Sequence, residues 1–451
     1  MYAVCADVGS TCTKVAVVDL GDGRLVATAT RPTTVGTDVL HGLDAAVAQA
    51  TVGLPAGSSM PWYVCSSAGG GLRLAVVGYE ELVTAQAGHR VGLSAGARVV
   101  HVAAGPLDGA GLAALRAARP DVVLLVGGTD GGDAEVLTHN ASRLARARWR
   151  IPVVLAGNGD VRESLTGLLA ERGVPVTAAD NVLPRIGVLR PGPAREAIRA
   201  VFLRHVIGGK RLSRGHRFAG LVRAATPDAV LTGVELLADH LGGDLLVVDV
   251  GGATTDVYSA LTPDESAGGP GVAAAGTLWR ARTVEGDLGM RWSAPGVVEA
   301  AAAERLLTEA DRVALAGPAA VRAADPGHLS VGGAERAVDE RIAALAATVA
   351  VRRHVRGGSV GERAARDLRD VRLLIGSGGV LRHAEPARSA AVLDAVLTDH
   401  AGGWALPRAA GRAVDVDYVL AAGGLLAAEH PGAAVALLRR HLAVAAGSGG
   451  R

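Results

Sequence analysis

Short apolar runs, each ending on a turn of small or acidic residues, set the rhythm of this chain. Tyr2 to Ala6 and Leu245 to Val248 read as buried strands, and each is followed after a few residues by a second apolar run, Val15 to Val18 and Val257 to Ala260. Runs of this length bounded by turn residues predict β-hairpins. The two turns say nearly the same thing: Asp7-Val8-Gly9-Ser10-Thr11-Cys12-Thr13-Lys14 and Asp249-Val250-Gly251-Gly252-Ala253-Thr254-Thr255-Asp256. Each puts an acid at the end of the first strand and a Gly/Ser/Thr-rich loop after it. Glycine lets backbone N–H groups approach an anion without a Cβ clash. An Asp ending an apolar strand is costly unless it is paired or metal-bound.

The pattern also predicts the elements between the hairpins. A helix is expected from Thr37 to Thr51, with Val39, Leu40, Leu43 and Val47 at helical spacing and Asp38 and Asp44 on its outer side. A strand at Trp62 to Cys65 leads to a glycine cluster, Gly69 to Gly71. From 72 to 185, apolar runs at Val99–Val102, Val122–Val126, Val153–Ala156 and Val174–Thr177 alternate with helical stretches. Those stretches are roughly Glu80–Ser94, Leu107–Ala118, Asp133–Ala147 and Asp160–Glu171. Strict alternation argues for a parallel sheet with covering helices, a Rossmann-like module set inside the first lobe. Its turn, Gly127-Gly128-Thr129-Asp130-Gly131-Gly132, lies where such sheets bind ligands, but it lacks the spacing of a dinucleotide site. A ligand role and a plain tight turn are both open. Residues 186–243 read as a helical connection, with Pro193–Ile207 and Thr226–His240 at helical spacing and Thr226 as a cap ahead of Pro227.

The second lobe is expected over 244–440. After the hairpin come a strand near Thr283, a helical region from Val297 to Val355, and an Arg/Gly-rich loop at Arg353–Arg366. Then Val371–Ile375 runs into Gly376-Ser377-Gly378-Gly379 and a helix, and Tyr418–Ala422 reads as a last strand ending at Gly423-Gly424. Residues 441–451 read as a frayed tail.

Composition narrows the function. The 451 residues suggest two to four domains. With 49% apolar but only 3% aromatic residues, the cores must be built from Ala, Val and Leu. The net charge of +2 gives no broad field for nucleic acid or a membrane surface. Lysine occurs only at Lys14 and Lys210, and the Ala/Arg/Gly bias reads as codon composition. Cys5, Cys12 and Cys65 have neither metal-type spacing nor disulfide-scaffold density, which fits a reduced, cytoplasmic setting. The first residues lack the pattern of a signal peptide, and no apolar stretch is long enough for a membrane helix.

Two acid-tipped hairpins followed by a strand-GSGG-helix, in that order, resemble the actin/heat-shock-70/sugar-kinase superfamily of ATPases. The resemblance implies a two-lobed α/β fold in which the hairpins are phosphate loops and Gly376 to Gly379 is the adenosine loop. A Walker A loop is absent. Carried over residue by residue, Asp7 and Asp249 hold Mg²⁺ through waters. Gly9, Ser10, Thr11, Thr13 and Lys14 meet the β- and γ-phosphates of ATP from one side, and Gly251, Gly252, Thr254 and Thr255 from the other. Gly376, Ser377, Gly378 and Gly379 take the nucleoside. Asp256 orients an attacking water, with Glu235 as a second candidate. Cys12 and Ala253 depart from the paired hairpin and remove donors, so slow turnover is expected.

A narrower resemblance covers almost the whole chain. Ser66 to Arg73, Leu124 to Gly132, Asp249 to Asp256 and Arg282-Thr283-Val284-Glu285-Gly286-Asp287-Leu288-Gly289-Met290-Arg291 resemble the MutL-type accessory proteins of glutamate mutase (the GlmL family). That resemblance implies an ATP-dependent reactivating chaperone for an adenosylcobalamin-dependent mutase, releasing damaged cobalamin by lobe closure. Arg282, Glu285, Asp287 and Arg291 then either contact the partner or cleft, or form ion pairs within the second lobe. A small-molecule kinase of the same fold is the alternative. An iron–sulfur activator ATPase needs cysteines that Cys5, Cys12 and Cys65 do not supply, and a degenerate scaffold is disfavoured by the retained Asp7, Asp249 and Asp256.

Overall fold

The computed structural model describes residues 1–55, 60–68, 72–79, 88, 91–92, 97–207, 212–262, 280–325, 327–356 and 366–443. The cluster Gly69–Gly71, most of the helix expected at Glu80–Ser94, residues 357–365 of the Arg/Gly-rich stretch and the tail from 444 lie outside the described residues. Two compact units emerge, one holding Met1–Gly233 with Ala421–Ala434, the other built on Val234–Thr262 and Arg282–Leu420.

The first unit opens with β1 (Tyr2–Val8), β2 (Cys12–Asp19), β3 (Leu25–Pro32), the helix Val39–Ala50 and β4 (Trp62–Ser66). A parallel run follows: β5 (Arg73–Gly78), β6 (Arg98–Ala104), β7 (Val122–Leu125), β8 (Val153–Leu155) and β9 (Val176–Ala178). After the helix Pro191–Val201, β10 (Val222–Ala225) returns to the first sheet, whose order is β10-β4-β1-β2-β3. The second unit carries β11 (Leu245–Val250), β12 (Thr255–Ala260), β13 (Arg280–Glu285), β14 (Leu373–Ser377) and β15 (Gly411–Val414). Its order, β13-β12-β11-β14-β15, is the first sheet's order over again. In both, an antiparallel hairpin pairs through its first strand with a later parallel strand. The internal repeat seen in two loops is thus a repeat of whole sheets, as an actin-like ATPase fold requires.

The inserted module has the order β6-β5-β7-β8-β9, all parallel. One face of its sheet, including Leu74, Val76, Leu124 and Val154, shares a core with the first sheet, where Val4, Val15 and Leu43 are buried. The other face, with Ala75, Val77, Val123 and Leu155, is covered by helices through Leu115, Leu144 and Leu169. A strand buried on both faces needs the near-continuous apolar sequence these strands have. The inner strand β5 was not anticipated, although Leu74-Ala75-Val76-Val77 is such a run. The second unit packs its sheet against the helices Ala294–Ala303, Glu309–Ala324, Gly333–Arg356 and Pro386–Leu397.

Three local expectations need correcting. Asp38 does not mark an outer helix face but is the N-cap, its carboxylate accepting from Leu40 N at 2.9 Å. Thr226 is the first residue of the helix Thr226–Leu241, and its hydroxyl donates to Asp7 Oδ1 at 2.6 Å. The apolar run at Tyr418–Ala422 is not a strand: Val419–Leu426 is a helix, and the last strand is β15 just before it. Short apolar runs fit either element by periodicity. What decides is Asp415, whose carboxylate accepts from Val419 N at 2.7 Å and Leu420 N at 3.2 Å and so caps the helix. Gly424, on that helix, lies so close to the Ala229 carbonyl that a Cβ would collide with it.

Burial pushes the Asp415 carboxyl up to about 6, against the two backbone N–H groups that hold it down. Between an ordinary value of 3.8 and about 6, the folded chain keeps a proton the unfolded chain has lost. The group's contribution to stability therefore falls as pH rises through that window. Asp415→Asn keeps a cap oxygen without the buried charge, and is expected to gain up to about 2 kcal/mol over the parent at neutral pH. Thermal unfolding of both proteins at acidic and neutral pH checks this. The parent–variant difference should grow from the acidic to the neutral measurement, and a constant difference contradicts the assignment.

Candidate functional site

The two hairpins close alike. Gly9 N donates to Cys12 O at 3.1 Å, and Gly251 N donates to Thr254 O at 2.9 Å. A Cβ on either glycine would press on that same carbonyl, at 2.8 Å in the first and 2.9 Å in the second. The tips stand out: Ser10, Thr11, Gly252 and Ala253 are exposed. Thr13 and Thr255 face the other way. Both are fully buried, Thr13 against the Thr33 hydroxyl at 2.9 Å and Thr255 donating to Leu288 O at 2.8 Å. Their hydroxyls hold the hairpins together, a role that alternation along a strand permits and a Gly/Thr-rich motif does not reveal.

The acids differ in what stands opposite. In the first hairpin Asp7 pairs with Lys14, and Lys14 Nζ lies 3.6 Å from Asp7 Oδ2. Thr226 donates to the other oxygen, and the Cys65 thiol lies 3.7 Å from it. In the second, Asp249 pairs with Asp256, so two carboxylates stand directly across from each other. Like charges at that position repel. Arg282 on β13 answers them, its Nη2 and Nε donating to Asp256 Oδ1 at 2.6 and 3.1 Å. The other Asp256 oxygen lies 3.4 Å from the Thr254 hydroxyl. Glu235 is half-buried on the helix Thr226–Leu241.

The segment that follows Arg282 braces the second turn. Met290 N donates to Gly251 O at 2.9 Å, Arg291 N to Gly252 O at 2.7 Å, and the Ser293 hydroxyl to Ala253 O at 2.9 Å. Gly289 packs so tightly on Ala253 that any side chain there would collide with it. The charged residues pair within the unit: Arg353 bridges Glu285 at 2.9 Å and Asp287 at 2.7 Å, and Arg291 lies 3.4 Å from Asp339. Burial raises the Glu285 carboxyl, outweighing Arg353, whereas the hydrogen bond from Arg353 lowers that of Asp287. Of the two readings of Arg282 to Arg291, ion pairing describes Arg282, Glu285 and Asp287 here, whereas Arg291 is both paired and part of a cavity lining.

The strand-GSGG turn comes to the same place. Ser377, buried, ends β14. Gly378 has φ of 101°, and a Cβ on it would strike Val250 O at the end of β11. Only glycine meets both demands. Gly376 is similarly confined by Leu381 and Leu393. Beyond them, Gly251, Gly252 and Gly379 line one cavity of about 530 Å³ within the second unit. The expected phosphate loop and adenosine loop therefore share a single concave site, of the size small-molecule sites usually have.

Arg291 lines this cavity, but sequence reasoning missed the rest of its charged wall. Arg336, Asp339 and Glu340 come from one face of the helix Gly333–Arg356, with His383 and Arg388 opposite. Arg388 bonds Glu340 at 3.2 Å. Burial alone would raise the Asp339 carboxyl, but hydrogen bonds from Arg322 and Ser330, with Arg291 nearby, hold it below the ordinary value. The signal was present as charges at helical spacing, which read equally well as a solvated face.

Each unit ends a buried strand on a carboxylate, and one such group taken by itself is of the kind a hydrated magnesium ion accepts. The ion keeps its waters and takes only one or two protein carboxylates, and Asp7 and Asp249 each offer one at a strand end. Among the described residues no group of three or more metal-type side chains occurs, so a dedicated protein cage is not what they form.

The model of the family described as MutL protein matches residues 3–442. The chain belongs to the MutL family. A curated relative in it, Protein MutL of Clostridium tetanomorphum, is 35% identical over 399 residues, 84% of this chain and 86% of the relative. Solved structures that align include nucleotide-free acetone carboxylase, at 16% identity and a TM-score of 0.36 over 84% of this chain and 66% of that one. Another is the 2-hydroxyisocaproyl-CoA dehydratase activator of Clostridium difficile with bound ADPNP, at 12% identity and a TM-score of 0.31 over 99% and 100%. These superpositions are too loose to argue from. The duplicated strand order carries the fold of this MutL-family chain. No helix among the described residues is long and apolar enough to cross a membrane.

Removing Arg282 should expose the repulsion it masks. Arg282→Met is expected to cost about 2 kcal/mol, because a half-buried carboxylate loses its partner. Adding Asp256→Asn should restore at least half of that loss. Chemical denaturation of the two variants tests it, and a single variant as stable as the parent rules the pairing out as a support.

Proposed function

We propose that this protein is an ATP-dependent accessory factor of an adenosylcobalamin-dependent mutase of the glutamate mutase type. On this reading it reactivates an enzyme that has been left holding a damaged cobalamin. The observation that carries the nucleotide half of the reading is the cavity shared by Gly251, Gly252 and Gly379. Membership of the MutL family supports the mutase half.

Gly251 and Gly252 lie against the phosphates, Gly376 to Gly379 beside the nucleoside, and Arg336, Glu340 and Arg388 frame the base and ribose. From the first hairpin, Gly9, Ser10 and Thr11 donate to the outer phosphates. Asp7 and Asp249 hold the waters of Mg²⁺, which neutralises developing charge on the phosphates. Lys14 shares its charge between Asp7 and the phosphates. Asp256 offers its Thr254-facing oxygen to an attacking water. Its other oxygen stays on Arg282, and Cys12 and Ala253 remove donors from the paired loops, so hydrolysis is slow. Slow turnover suits a switch, because the nucleotide state must last long enough to bias lobe closure. Each nucleotide can shift that equilibrium only by the difference in its contacts with the two states. Closure on ATP, and reopening after hydrolysis, would pull on the bound mutase and release the spent cofactor.

Asp7→Ala and Asp249→Ala should each weaken Mg-ATP binding at least tenfold by calorimetry while both variants remain folded by circular dichroism. Unchanged affinity in both would refute the site. The client role has its own measurement: a mutase poisoned with a cobalamin lacking its adenosyl group should regain activity when given this protein, ATP and fresh cofactor. Nucleotide consumption coupled to phosphorylation of a sugar or acid, without reactivation, would show a kinase instead.

A further inference from the structure

We propose that the inserted module carries a second anion site, for a phosphate-bearing small molecule, at the edge of its sheet where the strands begin. A cavity of about 460 Å³ opens there between two helix ends. One wall is Arg116, Arg119 and Pro120, where the helix Gly109–Ala117 turns into β7; the other runs from Ala147 to Ile151, where the helix Glu135–Arg146 turns into β8. Four arginines, Arg116, Arg119, Arg148 and Arg150, line this small space. All four are exposed, and none makes an ion pair among the described residues. Arg116 lies over the ring of Trp149, 5.8 Å from its centre.

Two further observations point to a ligand. Trp149 lines the cavity but is only 3% exposed, and its indole N–H has no hydrogen-bond partner. A buried indole donor usually has one. The backbone makes the second point. Arg119 and Arg148 stand just past the two helix ends with φ of 45° and 46°. That left-handed position favours glycine or asparagine, and here both helices set an arginine in it. The helix C-termini themselves repel anions. Arginine beside them is common as a complement to the dipole, but a convergent unpaired quartet around one concavity exceeds what two helix ends need. Guanidinium forks match phosphate oxygens two at a time, so a pyrophosphate or a phosphate monoester suits this set better than a lone carboxylate. The site lies within the module and shares no lining residue with the cavity at Gly251 and Gly379.

The test titrates inorganic pyrophosphate into the full-length protein by calorimetry, with and without excess non-hydrolysable ATP analogue. The parent should bind pyrophosphate in the presence of the analogue. The double variant Arg119→Asn/Arg148→Asn, whose asparagines tolerate the left-handed backbone, should lose that binding at least tenfold while its affinity for the analogue is unchanged. The parent's affinity should also fall as salt is raised. Equal pyrophosphate binding by parent and variant, or none by the parent at about 10 mM, overturns the site. Failure of the analogue to bind would count against the nucleotide reading and leave the comparison of parent and variant intact.

Discussion

A carboxylate at the end of a buried strand has to be answered by something, and both halves of this chain are organised around that need. Asp7 is met from across the hairpin by Lys14 and from the neighbouring helix by Thr226. Asp249 is met by another acid, Asp256, and the answer comes one strand further out, from Arg282. The same fold position therefore carries opposite charges in the two hairpins. The first is balanced within itself, whereas the second depends on β13 and the loop behind it.

That dependence explains the most distinctive stretch of the sequence. Arg282 to Arg291 begins by neutralising Asp256 and ends by hydrogen-bonding the turn carbonyls of Gly251 and Gly252. Gly289 and Gly378 permit close backbone approach from two sides, one onto Ala253 and one onto Val250. The turn is clamped on both flanks, and its tip is left exposed beside a cavity. A rigid tip is what a phosphate loop needs, since donors already in place lose little entropy when the anion arrives.

The inserted module follows a different logic. Its inner strands β5, β7 and β8 are buried on both faces, which leaves the ends of the strands for chemistry. At the edge where the strands end, the Gly127–Gly132 turn is closed on itself: Asp130 accepts from Gly159 N at 2.8 Å and Asn181 at 2.9 Å, and Asn158 donates to Gly132 O at 2.9 Å. That describes a tight structural turn. At the edge where they begin, four arginines converge with no ion pair among the described residues.

Much of this was legible in the amino-acid order because it is local. The hairpin acids, the glycines that must approach a backbone and the alternation of strand and helix in the module each follow from residues near one another in the chain. Short apolar runs were where reading failed. Leu74 to Val77 is an inner strand and Val419 to Leu426 a helix, and nothing in their hydrophobicity separates the two; Asp415, a capping residue upstream, does. The partner of each charge was equally out of reach, because Arg282 and Asp256, or Arg353 and Asp287, meet only when strands and helices pack. The sequence by itself determined the repeated acid-tipped turns and the family. Tertiary structure decided which hydroxyls face inward, which carboxylates are answered and by whom, and that glycines from two distant turns line one cavity. Those are matters of long-range contact, which no periodicity encodes.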